Sequence, residues 1–151
     1  MQQETKVLTN EALYKEIDLI QSCITRMVNN SFMLKGWLIT LIIALIALLP
    51  NNINRHYLCG TILLMDLAFW YLDAFFTKLE RLYRWKYEWV IVKRLEGNHE
   101  FLYNLNPYEK NMWGDKKEPC IVEVMLKSTP LLIIYGGIFL LDILLIIFKF
   151  H

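Results

Sequence analysis

The sequence lacks most of what marks an enzyme or a metalloprotein. It has no GxSxG elbow, no Walker loop, no HExxH pair and no glycine-rich dinucleotide fingerprint. Serine-hydrolase, P-loop, zincin and Rossmann chemistries therefore have no local scaffold. The three cysteines, Cys23, Cys59 and Cys120, are scattered, and none forms a CxxC or stands at zinc-ligand spacing from a histidine. An odd, dispersed set reads as reduced structural thiols, with no metal and no cofactor expected. The net charge of +1 is too small to argue for a nucleic-acid partner. No early apolar run precedes a small-residue cleavage site, position 2 is Gln2 rather than glycine, and no CaaX ends the chain. Membrane attachment is thus expected from the chain's own spans rather than from a leader or a lipid. No internal repeat or low-complexity tract is present.

What the sequence does have is apolar residues, in blocks. The chain is 56% hydrophobic over 151 residues, with a mean hydropathy of +0.31. That is too apolar for a soluble domain of this size. Residues 9–34 predict an amphipathic helix capped by Thr9 or Asn10. Leu13, Ile17, Ile20, Ile24, Met27 and Val28 form its apolar stripe, with Glu11, Lys15, Glu16 and Asp18 on the other side. A first span follows from Gly36 to Leu49, lengthened by Phe32–Gly36 with Lys35 snorkelling to the interface. Gly36, Thr40 and Ala44 fall four apart on it, a small-residue stripe that lets a second helix approach closely.

After the short Pro50–His56 loop, a second span covers Tyr57–Phe76. From Ala74 at its end no glycine or proline interrupts the chain until Gly97. One helix of about 40 residues, roughly 60 Å long, is therefore expected to leave the membrane near Lys78 and end at Gly97-Asn98. Residues 98–120 carry turn signals at Asn106-Pro107, Trp113-Gly114-Asp115 and Glu118-Pro119. A short helix, Ile121–Lys127, comes next, and Ser128-Thr129-Pro130 starts the third span.

The expected fold is an all-α membrane protein. An amphipathic N-terminal helix (1–35) leads into a transmembrane hairpin (36–76, spans 36–49 and 57–76). A cytoplasmic helical module (77–128) extends from span 2, and a third span with a short tail (129–151) completes the chain. Lysine and arginine number four in 1–35, one in the short loop, ten in 78–128 and one in the tail. The positive-inside rule then sets the N-terminus in the cytoplasm and the C-terminus in the periplasm.

Three constellations carry candidate function. Asp66, Asp73 and Glu80 are seven apart on the long helix, with Trp70 and Thr77 on the same face. Together with Asp142 in span 3 they are acids where the bilayer should be, at roughly 2.5–3.5 kcal/mol each if they faced lipid. They predict a seam facing other helices, a cation-attracting channel wall, or internal pairing with hydroxyls, tyrosine or a base. The run Lys78–Trp89 is dense in aromatics and cations. Arg81, Arg84, Trp85 and Trp89 are its candidate interfacial or partner-binding residues, and Glu80–Arg84 and Arg84–Glu88 its expected i,i+4 pairs. Finally, Arg94 and His99 are spaced as R-x4-H. That spacing resembles the motif of HEPN ribonucleases, which implies a histidine handling the proton and an arginine facing the phosphate.

Phe69-Trp70-Tyr71-Leu72-Asp73-Ala74-Phe75, leading into Glu80-Arg81-Leu82-Tyr83-Arg84, resembles the core of a group of small bacterial membrane proteins. Asn106-Pro107-Tyr108 and Ser128-Thr129-Pro130 fit the same pattern. The layout is similar to small transmembrane effectors of anti-phage systems, from whose two spans the third span departs. It is similar also to membrane accessory proteins of RNA-targeting CRISPR systems. The resemblance implies a membrane-disrupting or signalling role in antiviral defence. The expectation is an oligomeric inner-membrane effector or channel gated through its cytoplasmic module. Its partners would be membrane lipid, further copies of itself and a cytoplasmic protein or signalling ligand, with nucleic acid not expected. A non-conducting scaffold and a membrane-tethered ribonuclease are the alternatives, with enzyme activity resting on Arg94 and His99 alone.

Overall fold

The computed structural model describes residues 2–48 and 55–147. Among them the structure is all helical, with four α-helices: α1 (Gln2–Leu48), α2 (Arg55–Leu95), α3 (Ile121–Lys127) and α4 (Thr129–Ile147). A single 3-10 turn, Lys110–Met112, interrupts the irregular segment before α3. Two helices are long and apolar enough to cross a membrane, over Glu11–Leu48 and His56–Leu95, or three if the bent pair α3–α4 counts as one span. The expected end of span 1 at Leu49, most of the Pro50–His56 loop and the tail around Lys149 lie outside the described residues.

α1 differs from expectation. The amphipathic segment and the first span are one continuous helix that starts at Gln2, so Thr9 and Asn10 sit within it and do not cap it. Gly36 does not interrupt it, because a lone glycine costs only about 1 kcal/mol in a helix and its neighbours are strong formers. α2, 41 residues long, matches the expected uninterrupted helix. It ends in a Schellman turn: Gly97 adopts φ 77°, the Gly97 amide donates to the Arg94 carbonyl, and the Asn98 amide donates to the Lys93 carbonyl. α3 and α4 also fall where expected, at an angle of 82°. Ser128 between them is extended. A continuous helix would drive the Pro130 ring against the carbonyl four residues back, which forces the break. The Leu132 amide donates instead to the Ser128 carbonyl, opening the new helix.

The chain divides into two compact units. Unit 1 takes the described residues of Met1–Val28 and Lys78–Glu118, and unit 2 those of Asn29–Thr77 and Pro119–His151. α3 thus belongs with α4, through Val124 in the unit 2 core, and not with the extension of α2.

Unit 1 has a small apolar core of Ile20, Val90 and Met112, flanked by Leu13, Ile24, Tyr87, Trp89, Phe101 and Leu105. Its irregular segment is held by side chains. The Asn98, Asn104 and Asn106 carboxamides each accept from the amide two residues on. Trp113 Nε1 donates to the Pro107 carbonyl at 2.9 Å. Buried Lys86 donates to the Asn106 carbonyl at 2.7 Å.

Unit 2 also buries charged side chains, beneath a largely aliphatic surface. Its core holds Leu38, Trp70, Ala74, Val124, Leu131 and Tyr135, but Asp66, Asp73 and Asp142 are buried beside them. Its outer surface carries Phe32, Trp37, Ile43, Leu64, Ile133 and Leu140. Large apolar side chains exposed in this number are compatible with a membrane location. Polar side chains inside and large aliphatics outside is the distribution expected of helices solvated by lipid.

Candidate functional site: a buried acidic cluster

The acids of unit 2 fall into two settings. Asp73, on α2, is fully enclosed and fully partnered. Lys35 of α1 forms an ion pair with Asp73 Oδ2 at 2.5 Å, Tyr135 of α4 donates to the same oxygen at 2.9 Å, and the Ser31 hydroxyl of α1 donates to Oδ1. Lys35 also donates to Ser31 Oγ at 2.8 Å. Lys35 therefore does not snorkel outward: its ammonium turns inward, because Asp73 offers a charged acceptor that lipid cannot. Three segments distant in sequence meet on this carboxylate, and Tyr135 in turn stacks on Trp70 with ring centroids 6.1 Å apart.

Asp66 and Asp142 are different. They are 0% and 2% exposed, and none of their four carboxyl oxygens has a hydrogen-bond partner. Asp142 lies within electrostatic reach of Asp66, and the Cys59 thiol, a weak donor, lies beside Asp142. Trp70 Nε1, one turn along α2 from Asp66, is buried and unpartnered as well. Almost all buried polar groups in folded proteins are satisfied, so unpartnered atoms gathered in one unit call for an explanation beyond packing. Lys35, the partly buried base of this unit's acidic network, is committed to Asp73.

The other expected site residues lie elsewhere. Glu80 belongs to unit 1 and pairs with Arg84 at 2.7 Å as its spacing predicts. Arg84 does not pair with Glu88, which bonds Lys116 instead. Thr77 is half-buried and Arg81 partly exposed. Gly36 and Thr40 face outward from unit 2, and Ala44 is half-buried. The Thr40 hydroxyl donates to the Gly36 carbonyl of its own helix. Trp85 packs edge-on against Trp113, and Trp89 against Phe101. Both tryptophans thus hold the irregular segment onto α2.

Arg94 is buried in unit 1. It bonds both oxygens of Glu16, each at 2.9 Å, and donates through Nη1 to the carbonyls of Asn98 and Glu100. His99 is exposed. Four of the five guanidinium N–H donors are thus engaged within unit 1, and Arg94 and His99 differ sharply in exposure. Glu16, expected on the solvent side of α1, is 1% exposed and also accepts from the Tyr103 amide. The signal was present: Glu16 continues the buried series Ile20, Cys23, Met27 at spacings of four, three and four. Arg94 likewise continues Tyr83, Lys86 and Val90.

These features define an all-helical protein of two units among the described residues, one of which encloses three acids beneath an aliphatic surface. No protein-family model, curated protein or solved structure matches the chain.

Proposed function

We propose that this chain is an integral protein of a bacterial inner membrane, with unit 2 in the bilayer and unit 1 in the cytoplasm, acting as an oligomeric effector or channel that depolarises the membrane. Lys and Arg counts favour a cytoplasmic N-terminus and a periplasmic C-terminus. One observation supports conduction over scaffolding: Asp66 and Asp142 are buried together without partners inside a unit whose exterior is aliphatic. Two such acids cost several kcal/mol against apolar replacements. A structural role does not call for them, whereas a proton or cation path does. Because the acids sit inside the protomer, we place the path within unit 2 rather than around an oligomer axis. Asp73 then supports the path by fixing α1, α2 and α4, and unit 1 carries the gate, responding to a cytoplasmic protein or ligand. A role in antiviral defence follows from the resemblance alone.

The test is proton and potassium flux from liposomes holding the purified chain. Wild type should release, and Asp66→Asn with Asp142→Asn should lose most of that release while remaining inserted and monodisperse. Undiminished flux in the double variant would remove the acids from the path. The alternative, a scaffold in which unit 1 recruits a partner, is favoured by the exposed surface of Arg84 and Tyr14. It predicts partner capture that is indifferent to both substitutions.

A further inference from the structure

Unit 2 contains a cavity of about 410 Å³ bounded by α1, α2 and α4. Ile39, Ile46, Ile62 and Ile138 are among its walls, and the one polar side chain lining it is Asp142. The volume falls within the roughly 300–1,000 Å³ of small-molecule sites. Along α4 it reaches from Ile133 to Asp142, about 13 Å at the helical rise. Ile39, Ile43, Ile46, Ile133 and Leu141 of its walls are exposed on the outer face of the unit, so it opens sideways along its length.

The occupant's chemistry follows from the lining. A carboxyl group with no donor beside it but a weak thiol, and a second, unpartnered acid within electrostatic reach, ask for a cation with N–H donors. An inorganic divalent ion does not fit, because such ions take about six or more oxygen ligands. Isoleucine walls offer none, and no cluster of three metal-ligating side chains exists among the described residues. A phospholipid that carries an ammonium carries a phosphate two carbons away, which two acids would repel. What remains is a cation that carries its own apolar body.

We propose that this cavity binds an aliphatic amine in its ammonium form, the ammonium on Asp142 and the alkyl chain along the isoleucines. Asp66 adds negative potential without touching the chain. The site shares these two acids with the proposed path but does not require conduction. Binding is measured at equilibrium without a gradient, so the two readings fail separately.

The experiment is equilibrium dialysis of radiolabelled n-decylamine against the full chain in lipid nanodiscs at neutral pH, with empty nanodiscs as background. Decanol and decyl sulfate run in parallel. Decylamine should bind saturably, one per chain, and at least roughly tenfold tighter than decanol, the difference between a charge-assisted and a neutral hydrogen bond. Asp142→Asn should weaken it by a similar factor. Ile138→Trp, which fills the cavity and leaves both acids in place, should abolish it even if Asp142→Asn proves unstable. Equal binding of decanol, full affinity in Asp142→Asn or Ile138→Trp, or no saturable binding above empty nanodiscs would each overturn the proposal.

Discussion

Replacing Arg94 by alanine tests whether unit 1 is held by a buried ion pair. Four hydrogen bonds disappear: two to Glu16 and one each to the carbonyls of Asn98 and Glu100. The Glu16 carboxylate is left with the Tyr103 amide alone. Removing one partner from a buried pair costs about 3–5 kcal/mol, because the remaining charge is stranded. Water entering the vacated volume offsets part of this. Small domains are stable by only about 5–15 kcal/mol, so Arg94→Ala should bring unit 1 close to unfolding at growth temperature. Glu16→Gln keeps the shape and one acceptor, and should cost roughly 1–3 kcal/mol. The double replacement Glu16→Met with Arg94→Met removes both charges, and should be less destabilised than Arg94→Ala.

The assay is urea titration of the full chain in mild detergent. Tryptophan fluorescence reports on Trp85, Trp89 and Trp113, and limited proteolysis reports on residues 96–118. An Arg94→Ala midpoint within about 0.5 kcal/mol of wild type, the usual range of surface substitutions, would refute the assignment. The result also bears on the ribonuclease alternative. Activity lost together with the fold of unit 1 says nothing of catalysis, whereas activity lost with unit 1 intact would restore Arg94 as a chemical residue.

Burial lowers the Lys86 amine from its ordinary value of 10.5 to about 8, against the raising effect of Glu109, Glu16 and Cys23. Below pH 8 the folded and unfolded chains both hold this proton and the penalty of the buried charge is fully present. From about 8 to 10.5 the unfolded chain binds more, so stability should rise by at most about 3 kcal/mol. Lys86→Met should flatten that rise in pH-dependent urea titrations, and an unchanged slope would count against a buried amine. Gly97→Ala should cost about 1 kcal/mol through its positive φ, with faster hydrogen exchange at the Asn98 amide, and protection equal to wild type would contradict the cap. Asp66→Leu combined with Asp142→Leu should raise the thermal midpoint in detergent, since both acids lack partners. A lower midpoint would show that they stabilise the fold.

Local rules made the helices legible. The uninterrupted run to Gly97 predicted α2, Pro130 predicted the α3–α4 break, and four-residue spacing predicted Glu80–Arg84. The continuity of α1 was missed because its composition changes near Gly36 while its backbone does not. Pairings across long separations were missed for a different reason. Periodicity assigns a residue to a face but does not name what meets that face. Lys35 lies 38 positions from Asp73, and Glu16 lies 78 from Arg94. A lysine at the edge of an apolar run reads as snorkelling unless the carboxylate it meets is known. The acidic seam was visible as a heptad of polar groups, yet the split between a satisfied Asp73 and unsatisfied Asp66 and Asp142 depends on which helix supplies the base.

That split is what separates structure from function in this molecule. Unit 1 buries Glu16, Arg94 and Lys86, and each has partners at hydrogen-bond distance. Unit 2 applies the same solution at Asp73, where a base, a phenol and a hydroxyl converge on one carboxylate. The chain thus buries ionised groups with satisfied geometry in both units. About two turns along α2 and α4 from Asp73 and Tyr135 it leaves Asp66 without a donor and Asp142 with a weak thiol alone beside it. Apolar side chains of similar size at 66 and 142 would relieve that cost at once. Folding gives no reason for these carboxyl groups, which is why we propose that their value lies in what they exchange: a proton, a cation, or an amine drawn in between the isoleucines.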